Sequence, residues 1–131
     1  MANYKIVSHA GAGLPLNVAT TTTISRRTNV NIWSDTGSND QKWSITSLGT
    51  NQQVKSLNNL SYMLNANTST WNCDVYTSNA DTYINFILVS TGVYRLQLAS
   101  DTTKYLTAEG TTSGSNVKWA ALNNTTGKSL Q

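Results

Sequence analysis

The sequence is poor in the residues on which most catalytic and metal chemistry depends. It has one cysteine, Cys73, and one histidine, His9, in 131 residues. An internal disulfide is therefore excluded, and so is a His-rich metal site. Six carboxylates are present and form no evident general acid/base pair. The "GAG" at 11–13 is too short for a phosphate-cradling loop. No apolar run is long enough to cross a bilayer, so membrane insertion is not expected. The opening "MANYKIVSHAG" lacks a charged segment followed by an apolar one. A secretory signal is thus not expected, leaving a cytoplasmic protein or one secreted by a leader absent from this chain. Charge is sparse as well: nine Lys and Arg face six Asp and Glu, a net +3. The basic residues are scattered, with only Arg26 and Arg27 adjacent, and make no nucleic-acid footprint.

What the chain has in abundance is neutral polarity. Ser, Thr and Asn account for 51 of the 131 residues. Thr favours strands, while Asn and Ser favour turns, which points to an all-β protein. Apolar residues come in short alternating runs such as "VNIW", "DVYT" and "YRLQLA", with no amphipathic helix among them. The chain reads as one domain, 1–131, in three parts of about 3–47, 51–89 and 93–131. Ile6 and Leu16 are ten apart, as are Val54 and Leu64, and Leu96 and Leu106. Each second Leu opens a similar triplet: "LNV", "LNA", "LTA". A further apolar pair follows in each part: Val30/Ile32, Cys73/Val75, Val117/Trp119. Three copies of about four strands predict a closed pseudo-threefold barrel capped by hairpins, which leaves few free sheet edges.

These repeats resemble those of the ricin-type β-trefoil lectins, also classed as family 13 carbohydrate-binding modules. That family's repeat runs Leu-Asp-x, apolar-x-apolar-Trp, Asn-Gln-x-Trp. The first part matches with "LNV" at 16–18, "VNIW" at 30–33 and "DQKW" at 40–43. The second carries "LNA" at 64–66 and "CDVY" at 73–76, with "INF" at 84–86 in place of Gln-x-Trp. The third keeps "LTA" at 106–108 and "NVKW" at 116–119. Gap-free counting sets Leu130 against Trp43, so the final strand is expected to be short or truncated, and the fold less stable for it.

A sugar offers an apolar C–H face and a rim of hydroxyls. Its site needs an aromatic plane and nearby hydrogen-bonding groups. Strand alternation supplies both: with Val30 and Ile32 turned inward, Asn31 and Trp33 face out, and Asn17 does so by the same logic. Asp40 and Gln41 come round after the "SDTGSN" turn. The resemblance assigns the same positions. It implies Trp33 as the platform, Asp40 and Gln41 as the polar pair, Trp43 as core, and Asn17 where the family has an acid, an exchange that weakens that hydrogen bond. Asn65, Asp74 and Tyr76 form a second candidate site; Trp71, in the turn just before, either widens it or caps the hairpin. In the third part the alternation turns Trp119 inward and leaves Ala120 at the platform, so no site is expected there. Cys73 falls on the inward side of its strand, a packing residue rather than a nucleophile.

The expectation is a non-catalytic lectin without metal or cofactor. By resemblance its partners are glycans or glycoproteins bearing galactose, N-acetylgalactosamine or lactose; homo-oligomers are compatible with this. Trefoils also serve as protease inhibitors and protein-binding modules, and that alternative stays open at this point. So does a binding arm of a larger toxin or glycosidase.

Overall fold

The computed structural model describes residues 2–9 and 13–122. Among them are eleven strands: β1 (Ala2–Tyr4), β2 (Leu16–Val18), β3 (Val30–Ile32), β4 (Trp43–Ile45), β5 (Lys55–Ser56), β6 (Met63–Asn67), β7 (Asn72–Tyr76), β8 (Ile84–Ser90), β9 (Val93–Leu98), β10 (Tyr105–Ala108) and β11 (Val117–Ala120). Two 3₁₀ turns, Asn39–Gln41 and Ala80–Thr82, precede β4 and β8. Leu130, expected in a last short strand, lies outside the described residues. No helix among the described residues is long and apolar enough to cross a membrane.

Nine strands form one antiparallel sheet in the order β1-β4-β5-β6-β7-β11-β10-β9-β8, and β2 pairs with β3 as a separate hairpin. Single bridges, Asn29 to Asp74 and Asn31 to Asn116, tie that hairpin to the large sheet. Three hairpins (β2–β3, β6–β7, β10–β11) share one register. Leu16 faces Ile32, Leu64 faces Val75, and Leu106 faces Trp119. Two residues along, Val18 faces Val30, Ala66 faces Cys73, and Ala108 faces Val117. All twelve of these side chains are buried. Because a strand alternates with period two, burial of these pairs places Asn17/Asn31, Asn65/Asp74 and Thr107/Lys118 on the opposite face of each hairpin.

Asparagines hold the three hairpins together. Asn29 Nδ2 donates to Asn116 Oδ1 at 2.9 Å, Asn116 Nδ2 to Asn72 Oδ1 at 2.8 Å, and Asn72 Nδ2 to Asn29 Oδ1 at 2.8 Å. Within the ring each amide gives and receives one bond, and the ring closes on itself; Asn116 Nδ2 also donates to Glu109 Oε1 at 3.1 Å. Trp43 and Trp119 fill the core, each fully buried, and their indole N–H groups donate to the carbonyls of Leu16 and Asn65 at 3.2 Å. Burial pushes the Cys73 thiol well above its usual range, so the thiolate is disfavoured there.

One alignment needs correction. Trp43 follows the first 3₁₀ turn by two residues, and Ile84 follows the second by two. Both are fully buried. The counterpart of Gln41-Lys42-Trp43 is therefore Thr82-Tyr83-Ile84, and not "INF" at 84–86. An isoleucine fills the space of an indole there, and Thr82, like Gln41, is buried.

The ring predicts a stability effect. Asn72→Ala removes two of its three bonds and leaves Asn29 Oδ1 without its donor. It should lower the unfolding free energy by about 1–3 kcal/mol, read by urea denaturation with unchanged m. Asn3→Ala, at an exposed position of β1, should change it by less than about 0.5 kcal/mol.

Candidate functional site

The outer face of β2–β3 opens into a cleft of about 520 Å³, lined by Asn17, Thr20, Asn31, Trp33, Thr36 and Asp40 among others. Trp33 follows the last residue of β3 and is 43% exposed. Its backbone N–H donates to the Pro15 carbonyl at 3.1 Å, which fixes the indole's base while its ring stays open. Asn17 Nδ2 donates to Asn31 Oδ1 at 2.9 Å. Among the described residues, Asn17 Oδ1 and Asn31 Nδ2 carry no hydrogen bond, so the pair offers one acceptor and donor capacity beside the indole. Asp40 sits on the 3₁₀ turn with its carboxylate braced from two sides, by Thr20 Oγ1 at 2.6 Å and Asn58 Nδ2 at 2.6 Å. A carboxylate has further lone pairs, so bracing orients Asp40 without exhausting it.

Gln41 does not join this set. It is buried; its Oε1 accepts from Thr36 N at 2.9 Å, and its Nε2 donates to the Ser34 carbonyl at 2.9 Å. Both ends of the amide are used to hold the 34–41 loop. The expectation that it faces a ligand is corrected on that ground. Its contribution is to carry the loop that positions Asp40.

In the second repeat the structure brings Asn65, Asp74 and Tyr76 together, with Asn65 and Asp74 buried and Tyr76 half-buried. Asn65 Nδ2 donates to Asp74 Oδ1 at 2.7 Å, and Asn65 Oδ1 accepts from Asn79 Nδ2 at 3.2 Å. The other oxygen of Asp74 takes Arg27 Nη1 at 3.2 Å. Asp74 is 2% exposed and Arg27 51%. The guanidinium of Arg27 lies 4.6 Å from the Tyr76 ring centroid, and that of Arg26 5.3 Å. Both the aromatic plane and the polar pair thus already have partners from the chain. Asn65, Asp74 and Tyr76 are thus covered in this structure, and the cations over them come from the β2–β3 loop of the first repeat. Desolvation pushes the Asp74 carboxyl above its usual range, and its bonds to Asn65 and Arg27 only partly offset this.

No protein-family model matches the sequence, and no curated protein matches it. Solved structures do. A designed three-fold symmetric protein, ThreeFoil, superposes with a TM-score of 0.81 at 21% identity, covering 97% of this chain and 94% of that one. The exo-β-1,3-galactanase of Clostridium thermocellum gives 0.83 at 17% identity, with all of this chain matching 30% of the enzyme's length. The C-half of the earthworm R-type lectin, solved with GalNAc, gives 0.73 at 13% identity and covers 99% and 97%. The chain folds as a β-trefoil.

In this trefoil the hairpin tip of each repeat leans on the next. Arg27 N donates to Val75 O at 2.8 Å, Gly114 N to Ile32 O at 2.7 Å, and Trp119 N to Trp71 O at 2.8 Å. All three tip residues have left-handed backbone: φ is +72° at Arg27, +62° at Trp71 and +95° at Gly114. Trp71 therefore belongs beside the third repeat and does not widen the second site. Lys104 Nζ lies 4.5 Å from its ring centroid. In the third repeat Thr107 and Lys118 replace the amide pair, and Ala120 replaces the platform. Gly114 meets Trp33: a Cβ there would lie 3.2 Å from the indole. Sequence reasoning missed the tips because each acts on a neighbouring repeat. The signal that could have found them is the Asn at 29, 72 and 116, one to two residues downstream of each tip.

The Asp74 environment fixes a pH prediction. A carboxyl raised on folding contributes stability that is fully present below its unfolded value and lost as pH rises through the folded one. Asp74→Asn keeps an acceptor for Asn65 and removes the buried charge. Its Tm at pH 7 should equal or exceed the parent's, with the difference shrinking as pH falls below the ordinary carboxylate range. Asp74→Ala strands Asn65 Nδ2 and should cost about 1–3 kcal/mol at either pH.

Proposed function

We propose that this trefoil is a non-catalytic carbohydrate-binding protein that takes a galactose-type sugar in the cleft of the first repeat. The observation that carries this is the half-exposed Trp33 indole standing beside the Asn17–Asn31 pair and braced Asp40 in one cleft. The apolar face of a pyranose stacks on the indole. Its hydroxyls meet Asn17 Oδ1, Asn31 Nδ2 and the Asp40 carboxylate, which covers both donor and acceptor roles. Asn17 forms a neutral bond where the family's acid would form a charged one, and the cleft is open. Affinity is accordingly modest, with Kd about 10 µM to 1 mM. The galactose class is supported by the GalNAc bound in the earthworm lectin and by the galactanase that carries a similar domain.

Trp33→Ala should lower lactose or N-acetylgalactosamine binding at least tenfold, about 1.4 kcal/mol, in titration calorimetry and on a glycan array, with thermal unfolding little changed. Unaltered binding by that variant would discard the cleft as the site.

A further inference from the structure

The second repeat contains every element of the first cleft, with a side chain lying over it. Asn65–Asp74 occupies the register of Asn17–Asn31, at 2.7 against 2.9 Å. Tyr76 stands where Trp33 stands, one residue beyond the equivalent of Ile32. Asp81 is the middle residue of its 3₁₀ turn, as Asp40 is of the other. What differs is the tip that leans in. Over the first repeat it is Gly114, where any side chain would crowd the indole at 3.2 Å. Over the second it is Arg27, bound to Asp74 and stacked on Tyr76.

We infer that the second repeat is a carbohydrate site held shut by Arg27, and that the residue at the hairpin tip determines how many sites of this trefoil are open. The inference rests on reading the first cleft as a sugar site. Arg27 closes the mouth of the repeat without being part of the core, since half of its side chain is in solvent. Its φ of +72° is unfavourable for a residue with a Cβ, so glycine at this position relieves strain. Once the Arg27 guanidinium is gone, Asp74 is released and Tyr76 keeps only the more distant Arg26, 5.3 Å from its ring centroid on an exposed side chain that an incoming ring displaces. Asp74, then wetted, accepts charge-assisted bonds from vicinal hydroxyls. The ligand class is a neutral pyranoside, because a carboxylated sugar would meet the Asp74 charge.

The test uses lactose calorimetry on the full chain. Trp33→Ala should bind at background; Arg27→Gly added to it should restore binding to within about tenfold of the parent. Arg27→Gly alone should raise the stoichiometry from one to two. Arg27→Gly/Asp74→Asn rebuilds in the second repeat the amide pair and glycine tip of the first. It covers the case in which an unpartnered carboxylate unfolds the single variant, and it should also bind at two sites. A parent that binds through Trp33, with folded tip variants that stay at one site, overturns the inference alone. A parent that binds no glycan overturns the reading of the first cleft, and this inference with it.

Discussion

The closed ring of Asn29, Asn72 and Asn116 is the constraint on which the rest of the structure depends. A ring of identical side chains that each give and receive one bond requires a group that is donor and acceptor at once in a fixed plane. An amide is such a group; a carboxylate cannot donate, and an ammonium cannot accept. The ring therefore specifies asparagine three times, at the point where the three hairpins meet. Each ring member directly precedes an inward apolar residue: Val30, Cys73 or Val117. Because a one-residue slip would turn every side chain to the wrong face, fixing the asparagine fixes which residues are core and which look outward. Hydrogen bonds in such a cycle polarise one another, so the ring is worth more than its separate bonds.

The scaffold is symmetric while the surfaces it carries have diverged. The hairpin registers superimpose residue for residue, yet the outward pairs are Asn/Asn, Asn/Asp and Thr/Lys, and the platforms are Trp, Tyr and Ala. Divergence is greatest at the tips, where Arg27, Trp71 and Gly114 share a left-handed backbone and little else. The side chains of Arg27 and Trp71 project onto the neighbouring repeat, whereas Gly114 brings only its backbone. Each outward face is thus assembled from two repeats, and a change at one tip alters the surface of another.

Much of this was legible in the sequence, for a physical reason. Burial imposes a spacing, and the ten-residue step from Ile6 to Leu16, from Val54 to Leu64 and from Leu96 to Leu106 is that spacing. The inward turn of Trp119 followed from strand alternation in the same way. The first cleft was legible where alternation decides exposure: Asn17, Asn31 and Trp33 all lie on the outward face. Gln41 was misplaced because alternation has no authority in a 3₁₀ turn; whether an amide there faces solvent or its own loop depends on which backbone groups need a partner. The cover over the second repeat was not legible for a different reason: Arg27 reaches Asp74 from 47 positions away. "RR" in the sequence reads as solvated charge, and nothing local says that both guanidinium groups lie against Tyr76.

The three platform positions make a comparison internal to the molecule. An exposed indole forgoes the burial that its large apolar surface would otherwise gain. In the second repeat the chain avoids that cost by stacking Arg27 on Tyr76, and beside the third an ammonium from Lys104 sits over Trp71. Cation–π contacts of this kind recover part of what exposure gives up. Among the described residues no cation lies over Trp33: the tip that faces it is glycine, whose missing side chain leaves the ring 43% exposed. One scaffold, under one set of local rules, thus covers two faces with its own cations and leaves the indole of Trp33 without one among the described residues. Departures from local optimisation concentrate where something other than the chain is to be accommodated. The glycine at 114 and the indole at 33 are therefore best understood together: the proposal that Trp33 stacks on a ligand depends on the tip that leaves its ring exposed.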